Sequence, residues 1–297
     1  MFHDTIRIGT LVVGRPSLAN DLEQLAALGF ESFSITFWGT VPKAGIKRLA
    51  QQTNDVLAGT NAVISSLAVF TNPMLDGEEG KVGREAWRTL IDSAHLFGCD
   101  IVAGFTGRVP GRSIPDNMSR FRKVHGPLAK RAADRGVRIA FENCTRTDSW
   151  HTGRRNIAIS PPAWDLIFDA IPTDNVGLEW EPAHQMANLI DPMPQLRKYV
   201  KKIFHVHGKD ATVLWDVVRE HGVNGPVPFA FPRTPGFGDS NWTDIISELR
   251  RGGFTGSIDI EGWHDPVYRE KLEMTGQVRG LDYLRECRGG TFVPNPA

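Results

Sequence analysis

Short apolar runs alternate with longer amphipathic segments along the chain. The apolar runs are rich in β-branched and aromatic residues, which is typical of strands. In the segments between them, apolar positions recur every three or four residues, which is typical of helices. The pattern predicts eight strands: Ile6–Gly9, Ser32–Phe37, Ala62–Phe70, Asp100–Phe105, Val137–Phe141, Val176–Trp180, Ile203–Asp210 and Ser257–Ile260. The predicted helices are one capped by Ser17, Lys43–Ala58, Arg84–Phe97, one from Asp116 or Asn117 to Arg135, Pro161–Ile171, Pro194–Lys201, one from Ser240 to Arg251, and Tyr268–Arg285.

Eight strand–helix pairs with short, strongly apolar strands are the signature of a (β/α)8 barrel. A chain of 297 residues suits such a barrel as a single α/β domain over residues 1–297. The segment 211–239 is rich in Pro and Gly and is too long for an idle connection in a compact barrel. We therefore predict that this segment forms a lid or an interface arm.

Charge and cysteine content narrow the class of partner. Lys plus Arg equals Asp plus Glu at 34 each, and this balance argues against nucleic acid or an anionic membrane as partner. The three cysteines are widely spaced and fit neither a disulfide framework nor a CxxC zinc pattern. No signal segment opens the chain and no apolar run is long enough to cross a bilayer, so we expect a soluble, cytoplasmic protein.

The fifth to eighth predicted strands each end in a side chain that can bind a metal. Active sites of (β/α)8 barrels lie at the carboxyl ends of the strands, and barrel closure brings adjacent ends together. Three carboxylates crowded there would repel one another without a cation. With one imidazole they suit a hard-to-borderline divalent ion. The predicted ligands of a single Mn²⁺, with Mg²⁺, Co²⁺ or Zn²⁺ as alternatives, are Glu142, Glu181, His207 and Glu261.

His205 and His207 lie two residues apart on one strand and therefore share one face. The same alternation places Glu179 one inward position below Glu181. A buried Glu179 needs a partner, and His205 on the neighbouring strand can supply it. We therefore assign His205 to a supporting role and His207 to the metal. Two hydrogen-bonded core histidines are the alternative interpretation of this pair.

Other side chains near the strand ends could contact a substrate. A lysine and an aspartate directly follow the metal histidine, although they could instead shape the loop. An arginine after the fourth strand and another in segment 211–239 could bind a phosphate or carboxylate, although an exposed loop arginine is the commoner case. A tryptophan after the second strand could form an apolar wall for a sugar face. The candidate substrate contacts are Lys209, Asp210, Asn143, Arg108, Arg233 and Trp38.

Five short motifs occur in order at the predicted strand ends and in the loops after them. They are Ile139-Ala-Phe-Glu-Asn143, Gly177-Leu-Glu-Trp-Glu-Pro-Ala-His184, Phe204-His-Val-His-Gly-Lys-Asp210, Pro235-Gly-Phe-Gly-Asp239 and Ile258-Asp-Ile-Glu261. With these motifs the chain resembles the xylose isomerase-like sugar phosphate isomerase/epimerase superfamily of metal-dependent TIM barrels. One departure is Glu181, where the family usually has Asp, and the longer carboxylate would shift the metal or bind it bidentately.

The resemblance implies a sugar isomerase or epimerase that transfers a proton next to a carbonyl through a metal-stabilised enediolate. It implies that Glu142 and Glu261 exchange this proton and that His184 contacts a substrate oxygen. A cation beside a carbonyl stabilises the developing oxyanion, and a carboxylate can remove and return the proton. The alternative is a metal-dependent lyase or hydrolase acting on an oxidised (3-keto) glycoside, including C-glycoside cleavage with a partner subunit.

The resemblance also bears on partners. Relatives are usually dimers or tetramers, so we expect a homo-oligomer, and C-glycoside-cleaving relatives add a small partner subunit. Apurinic endonucleases of this superfamily need histidines at the ends of early strands, where this chain has Phe37, Trp38 and Phe70. With zero net charge as well, we expect a small-molecule sugar or keto-sugar substrate and no nucleic acid or membrane partner.

Overall fold

The structure of the protein is a computed structural model, and it describes residues 6–145, 147–291 and 293. Its strands are β1 (Arg7–Val13), β2 (Ser32–Trp38), β3 (Val63–Phe70), β4 (Ile101–Gly104), β5 (Arg138–Glu142), β6 (Val176–Trp180), β7 (Ile203–Gly208), β8 (Asp210–Val213), β9 (Ala230–Arg233) and β10 (Ser257–Ile260). Eight of them form a closed parallel barrel in the order β1-β10-β7-β6-β5-β4-β3-β2. The predicted (β/α)8 fold class is confirmed.

Helices follow the barrel strands along the chain. They are α1 (Leu18–Ala27), α2 (Ile46–Leu57), α3 (Gly77–Ser93), α4 (Ile114–Ala133), α5 (Pro161–Ala170), α6 (Ala183–Met186), α7 (Pro192–Tyr199), α8 (Trp215–His221), α9 (Trp242–Arg251) and α10 (Glu273–Arg288). Short 3₁₀ turns occupy Ala94–Phe97, Val200–Lys202 and Glu270–Leu272. No helix among the residues that the structure describes is long and apolar enough to span a membrane.

Several helix ends differ from the sequence-based prediction. Helix α3 begins at Gly77 rather than Arg84. The prediction missed its first turns because the glycines there have low helix propensity. A side chain at Gly80 would collide with a backbone carbonyl, so glycine is required there for packing. Helix α9 is capped by Asn241, whose side chain accepts a hydrogen bond from the backbone N–H of Asp244, and not by Ser240.

The end of the seventh strand and the start of the last helix also differ from the prediction. The seventh strand ends at Gly208, and Asp210 instead begins the short strand β8. Helix α10 begins at Glu273 rather than Tyr268, because the Asp265 carboxylate accepts hydrogen bonds from the backbone N–H groups of Val267 and Tyr268. An Asp that binds the backbone of the following residues stabilises a turn in competition with a helix.

Contacts between Cα atoms divide the chain into two compact units, Leu11–Trp180 with Lys202–Val206, and Met1–Thr10 with Glu181–Lys201 and His207–Ala297. Two of the limits between these units fall inside strands, one in β1 between Thr10 and Leu11 and one in β7 between Val206 and His207. The single domain over residues 1–297 stays a prediction. In the first unit, small side chains pack on neighbouring strands together with larger apolar ones: Ala68, Ala103, Ala140, Ile101 and Phe204. In the second unit, α9 and α10 bury Ile246, Leu249, Leu281 and Leu284. Each large side chain buried in this way contributes about 1.5–3 kcal/mol.

The segment 211–239 contains regular structure of its own. Strand β8 pairs antiparallel with β9, from the pair Asp210 and Arg233 to the pair Val213 and Ala230. Helix α8 lies between these strands and has no buried residue. The segment is thus a structured hairpin with an exposed helix, and its role as a lid or interface arm stays a prediction.

Candidate metal centre

Two of the predicted ligands, Glu181 and Glu261, lie around the ammonium group of Lys209. Its Nζ atom is 3.0 Å from Oε1 of Glu261 and 3.7 Å from Oε2 of Glu181. All three side chains are buried. Charges buried together in this way are tolerated because each partner compensates the desolvation of the other. The chain therefore supplies one cation of its own beside these two carboxylates.

Each of these glutamates is also contacted by a histidine three residues further along the chain. Nε2 of His184 is 2.9 Å from Oε1 of Glu181, and Nε2 of His264 is 3.0 Å from Oε1 of Glu261. The predicted ligand His207 places Nδ1 at 3.2 Å from Oε2 of Glu261. Imidazoles thus contact both carboxylates. The Glu-x-x-His spacing occurs twice in the sequence, and this repeat could have revealed the contact of His264 with Glu261.

The surroundings of Glu181 and Glu261 favour their charged forms. Burial alone would raise the pKa of Glu181, but the charges of His184 and Lys209 lower its pKa below the ordinary value. Burial likewise opposes ionisation of Glu261, but Lys209, followed by hydrogen bonds from His207 and His264, holds its pKa well below the ordinary value. Carboxylates must be ionised to bind a metal, so both groups are ready to serve as ligands.

The third predicted glutamate, Glu142, ends strand β5 and is buried. The side-chain amide of Asn156 donates hydrogen bonds to the backbone carbonyls of Glu142, at 2.8 Å, and Cys144, at 3.0 Å. The amide oxygen of Asn156 accepts one from the Thr106 hydroxyl at 2.6 Å. One buried side chain therefore fixes the end of β5 against the loop after β4. No pattern in the residues around Asn156 predicts this role.

The predicted pairing of Glu179 with His205 is confirmed. Oε1 of Glu179 and Nδ1 of His205 are 2.8 Å apart, and both side chains are fully buried. The two residues are direct neighbours in the register between β6 and β7. Glu179 is also the register partner of Glu142 on β5. The pair therefore lies on the strands that carry the candidate ligands and holds the His205 ring in one orientation.

The four predicted ligands form a group that could hold a metal ion. One ligand atom from each lies within 4.8 Å of the others, and all four side chains are buried: Glu142, Glu181, His207 and Glu261. Three carboxylates and one imidazole form an oxygen-rich donor set, which fits a hard-to-borderline divalent cation. Two other groups also place one ligand atom from each side chain within 4.8 Å of the others. They are Glu142 with Cys144 and His184, and Glu179 with His205 and His207.

Two predicted substrate contacts, Arg108 and Asp210, have side chains engaged by the protein. The Arg108 guanidinium is buried and donates to the backbone carbonyls of Arg112 and Ser149. Burial lowers the pKa of this guanidinium. The Asp210 carboxylate accepts hydrogen bonds from the backbone N–H of Ser240 and the indole N–H of Trp242. Both side chains organise loops, and their contact with substrate stays a prediction.

The remaining candidates have varied surroundings. Arg233 donates from Nε to Oδ2 of Asp265 at 3.1 Å. Asn143 is buried and donates its backbone N–H to the carbonyl of Glu179. Trp38 is 48% exposed at the end of β2. The substrate contacts of these residues, like those of His184 and Lys209, stay predictions.

The model of the Xylose isomerase-like TIM barrel family matches residues 22–287. The chain belongs to this family. The resemblance carried by the five sequence motifs is therefore confirmed, and most of the xylose isomerase-like chain, including all four candidate ligands, lies inside the matched range.

Individual relatives of this xylose isomerase-like chain differ in their reactions. The inosose dehydratase of Clostridium botulinum (strain Alaska E43 / Type E3) is 26% identical over 163 residues, 54% of this chain and 51% of that relative. The chain therefore covers about half of that relative's length. The structure of 3-keto-D-glucoside 4-epimerase YcjR from E. coli superposes with a TM-score of 0.71 at 13% identity, over 95% of this chain and 100% of that one.

A further solved structure contains a metal. It is a xylose isomerase-like TIM barrel protein from Mycobacterium smegmatis in complex with magnesium. It superposes with a TM-score of 0.71 at 18% identity, over 97% of this chain and 100% of that one. At these identities the two structural likenesses establish the shared fold.

Proposed function

We propose that the protein is an enzyme, a divalent-metal-dependent sugar isomerase or epimerase. The observation that carries this proposal is the buried group of three carboxylates and one imidazole with ligand atoms within 4.8 Å of one another. Its donor set suits one Mn²⁺ per chain, with Mg²⁺, Co²⁺ and Zn²⁺ as alternatives. The magnesium complex of the M. smegmatis relative supports a divalent ion, and the epimerase YcjR supports a sugar substrate.

The reaction would be proton transfer next to a substrate carbonyl, through an enediolate. When bound, a divalent cation polarises such a carbonyl and stabilises the negative charge that develops on its oxygen. Glu142, which ends strand β5, and Glu261, which directly follows β10, would remove and return the proton. The lowered pKa of Glu261 keeps this carboxylate ionised and ready to accept a proton.

Basic side chains beside the ligands would orient the sugar. Lys209 and His184 lie within 4 Å of the ligand carboxylates and carry N–H groups that can donate to substrate hydroxyl and carbonyl oxygens. His264 occupies the equivalent place beside Glu261 and is partly exposed. Donors held by buried carboxylates are already oriented before the substrate arrives, which reduces the entropy lost on binding.

A metal-dependent lyase is the second candidate function. The observation that favours it is the match to an inosose dehydratase. A dehydration begins with the same removal of a proton beside a ketone, and the enediolate then expels a leaving group instead of taking the proton back. The same residues can therefore serve both reactions, and the substrate decides between them. An oxidised (3-keto) glycoside is the substrate class that the lyase reaction would need.

Metal analysis combined with deuterium exchange tests the proposal. The wild-type protein would be compared with Glu142→Gln and Glu261→Gln, and with Glu220→Gln on the exposed helix α8 as the matched control. Each protein would be loaded with Mn²⁺, analysed for bound metal, and incubated with ketoses and 3-keto-glycosides in deuterated water. Melting temperatures would establish that each variant is folded.

We expect about one divalent ion per chain in the wild type and in the control, with deuterium entering the substrate beside its carbonyl. In the two ligand variants, exchange should fall by about 10²–10⁴-fold, the range for loss of a general base. An epimer among the products supports the isomerase, and an eliminated group supports the lyase. A folded wild type that takes up no divalent metal under any loading condition would overturn the proposal.

Three expectations about assembly and location stay predictions: a homo-oligomer, a small partner subunit and a cytoplasmic location. The exposed helix α8 offers one surface for such an assembly, because Trp215 at its start is 51% exposed. The oligomeric state can be measured by light scattering of the purified protein, and a monomer at micromolar concentration would contradict the first expectation.

A further inference from the structure

A cavity of about 700 Å³ lies where strands β2, β3 and β4 end. Its lining includes three aromatic rings, two arginines and one glutamate: Trp38, Phe70, Phe105, Arg154, Arg155 and Glu79. We refer to it as the aromatic cavity. Its volume falls within the range of about 300–1,000 Å³ that is typical of small-molecule sites. This volume leaves room for a group larger than a monosaccharide.

The three rings form a continuous aromatic surface. The ring centroids of Trp38 and Phe70 are 5.0 Å apart, and those of Phe70 and Phe105 are 4.8 Å apart. Phe105 is buried, Phe70 is half-buried, and Trp38 is 48% exposed. Exposure therefore increases from the inner ring to the outer one. Both pairs are tilted, with interplanar angles of 37° and 55°. A planar ligand could pack against this row of rings, because aromatic pairs at such spacings are stabilising.

The two arginines are carried by a loop that the protein holds firmly. The buried Asp148 carboxylate accepts hydrogen bonds from the backbone N–H groups of Arg154, at 2.5 Å, and Arg155, at 3.1 Å. The side-chain amide of Asn72 donates to the backbone carbonyl of Arg154 at 3.0 Å. Hydrogen bonds within the loop and to the loop after β3 thus hold this backbone in place. Both arginine side chains are exposed.

Charge in the aromatic cavity favours an anion. The guanidinium groups of Arg154 and Arg155 make no ion pair within the part of the chain that the structure describes. Glu79 is the carboxylate in the lining, so the cations outnumber the anion by two to one. Guanidinium groups bind carboxylates and phosphates through paired N–H donors, and they also stack on aromatic planes.

The aromatic cavity lies at the same end of the strands as the candidate ligand Glu142. Phe105 directly precedes Thr106, and Arg155 directly precedes Asn156. Thr106 and Asn156 are hydrogen-bonded to each other, and Asn156 donates to the backbone carbonyl of Glu142. A molecule whose reacting part lies at Glu142 could therefore place another part in the cavity.

We propose that the aromatic cavity binds an aromatic anion, so that the substrate is a sugar conjugate whose non-sugar part carries an aromatic ring and a carboxylate or phosphate. This substrate class rests on the proposed function, which places the sugar at the metal ligands. The aromatic rings recognise the planar part, and Arg154 with Arg155 recognises the charge. A free, uncharged ketose would use neither feature.

Binding of small probes to the protein after metal removal by a chelator tests the cavity separately from the reaction. Isothermal titration calorimetry would compare benzoate and phenyl phosphate, which carry ring and charge, with benzyl alcohol and inorganic phosphate, which carry one feature each. We expect benzoate or phenyl phosphate to bind at least about tenfold more tightly than either single-feature probe, because each contact contributes to affinity. Inorganic phosphate that binds as tightly as phenyl phosphate would overturn the aromatic part of the proposal and the substrate class with it.

Paired variants locate the binding. Trp38→Ala should weaken benzoate or phenyl phosphate binding, whereas Trp215→Ala, which removes an equally exposed tryptophan from α8, should leave it unchanged. The double variant Arg154→Gln/Arg155→Gln should abolish the preference for the anionic probes over benzyl alcohol. Arg48→Gln on the exposed face of α2 is its control. Unchanged binding in both cavity variants, with melting temperatures preserved, would overturn the assignment.

Measuring metal content and deuterium exchange on the same preparations separates the two proposals. If metal binds and exchange occurs with simple keto-sugars while no aromatic anion binds, the inference about the cavity is wrong and the proposed function stands. If an aromatic anion binds through Trp38 and the arginines but the protein takes up no metal, the cavity is a binding site and the proposed reaction is wrong. The inferred substrate class is then overturned with it.

Discussion

The ammonium group of Lys209 lies 3.0 Å from the carboxylate of Glu261, although Glu261 belongs to the group that can hold a metal. Both side chains are buried, so in the absence of another cation Lys209 is the main positive charge that compensates this carboxylate. A divalent ion would take over that task. We therefore predict that lysine and metal act as alternative counter-ions, and that bound metal would free the lysine to bind a substrate oxygen.

Lys209→Met tests this relationship. Without a metal, the variant should lose about 3–5 kcal/mol of unfolding free energy, because a buried carboxylate keeps its charge and loses its counter-ion. Saturation with Mn²⁺ should recover stability, by about 2.7 kcal/mol at a metal concentration 100 times the variant's Kd. At one fixed Mn²⁺ concentration the gain should exceed that of the wild type, because the metal no longer competes with the lysine. Urea denaturation in EDTA and in Mn²⁺ measures both values.

Lys43→Met is the matched control for this measurement. Lys43 pairs with Glu85 at 2.7 Å, but both side chains are exposed, so its removal should change stability little in either condition. Equal stability losses for Lys209→Met in EDTA and in saturating Mn²⁺ would show that lysine and metal do not act as alternative counter-ions.

The buried pair of Glu179 and His205 provides a second test. His205→Leu removes the imidazole from a fully buried carboxylate and should destabilise the protein by about 3–5 kcal/mol. The double variant Glu179→Leu/His205→Leu should recover a large part of that loss, because two apolar side chains replace both buried polar groups. Denaturant unfolding of the two single variants and the double variant forms a complete cycle. Additive losses would contradict direct coupling between the two side chains.

The parts of the fold that were predictable from the sequence are those governed by a local repeat. Strands such as Val176–Trp180 are apolar runs, and a barrel places their last residues together. That rule alone was enough to propose Glu142, Glu181, His207 and Glu261 as one group. The alternation of side chains on neighbouring strands was likewise enough to pair Glu179 with His205.

The parts that escaped prediction depend on contacts between distant loops. Asn156 fixes the end of β5 through two backbone carbonyls, yet nothing in its neighbours distinguishes it from any loop asparagine. The Arg108 guanidinium donates to backbone carbonyls of loop residues, among them Arg112 and Ser149, and the sequence did not predict these contacts. Its contact with substrate stays a prediction. Side chains that bind backbone groups leave no periodic signal, because their partners are set by the path of the loop.

Asp210 gives a third test, on the segment 211–239. Its carboxylate accepts from the backbone N–H groups of Ala211 and Ser240, and from the indole of Trp242. Asp210→Ala should therefore loosen both ends of the segment and speed amide hydrogen exchange within it, because three donors lose their acceptor. Exchange monitored by mass spectrometry measures the effect. Asp216→Ala, at the exposed start of α8, is the control and should leave exchange at the segment's ends unchanged.

We expect His125 to make the stability of the protein depend on pH. It is fully buried on α4, and its Nε2–H donates to the backbone carbonyl of Thr106 at 2.7 Å. Burial lowers its pKa from 6.5 to about 4. Because the unfolded chain binds the proton more readily, the stability contributed by neutral His125 is present above about pH 6.5 and is lost as the pH falls towards 4.

Below pH 6.5, this single group should lower the unfolding free energy by about 1.4 kcal/mol per pH unit. His125→Phe should reduce the slope between pH 6.5 and 5 by that amount, whatever its effect on stability at pH 7, since it removes the titrating group. His221→Gln, on the exposed helix α8, should leave the slope unchanged. Urea unfolding at intervals of half a pH unit measures the slopes, and parallel curves for wild type and His125→Phe would exclude His125 as the source of acid sensitivity.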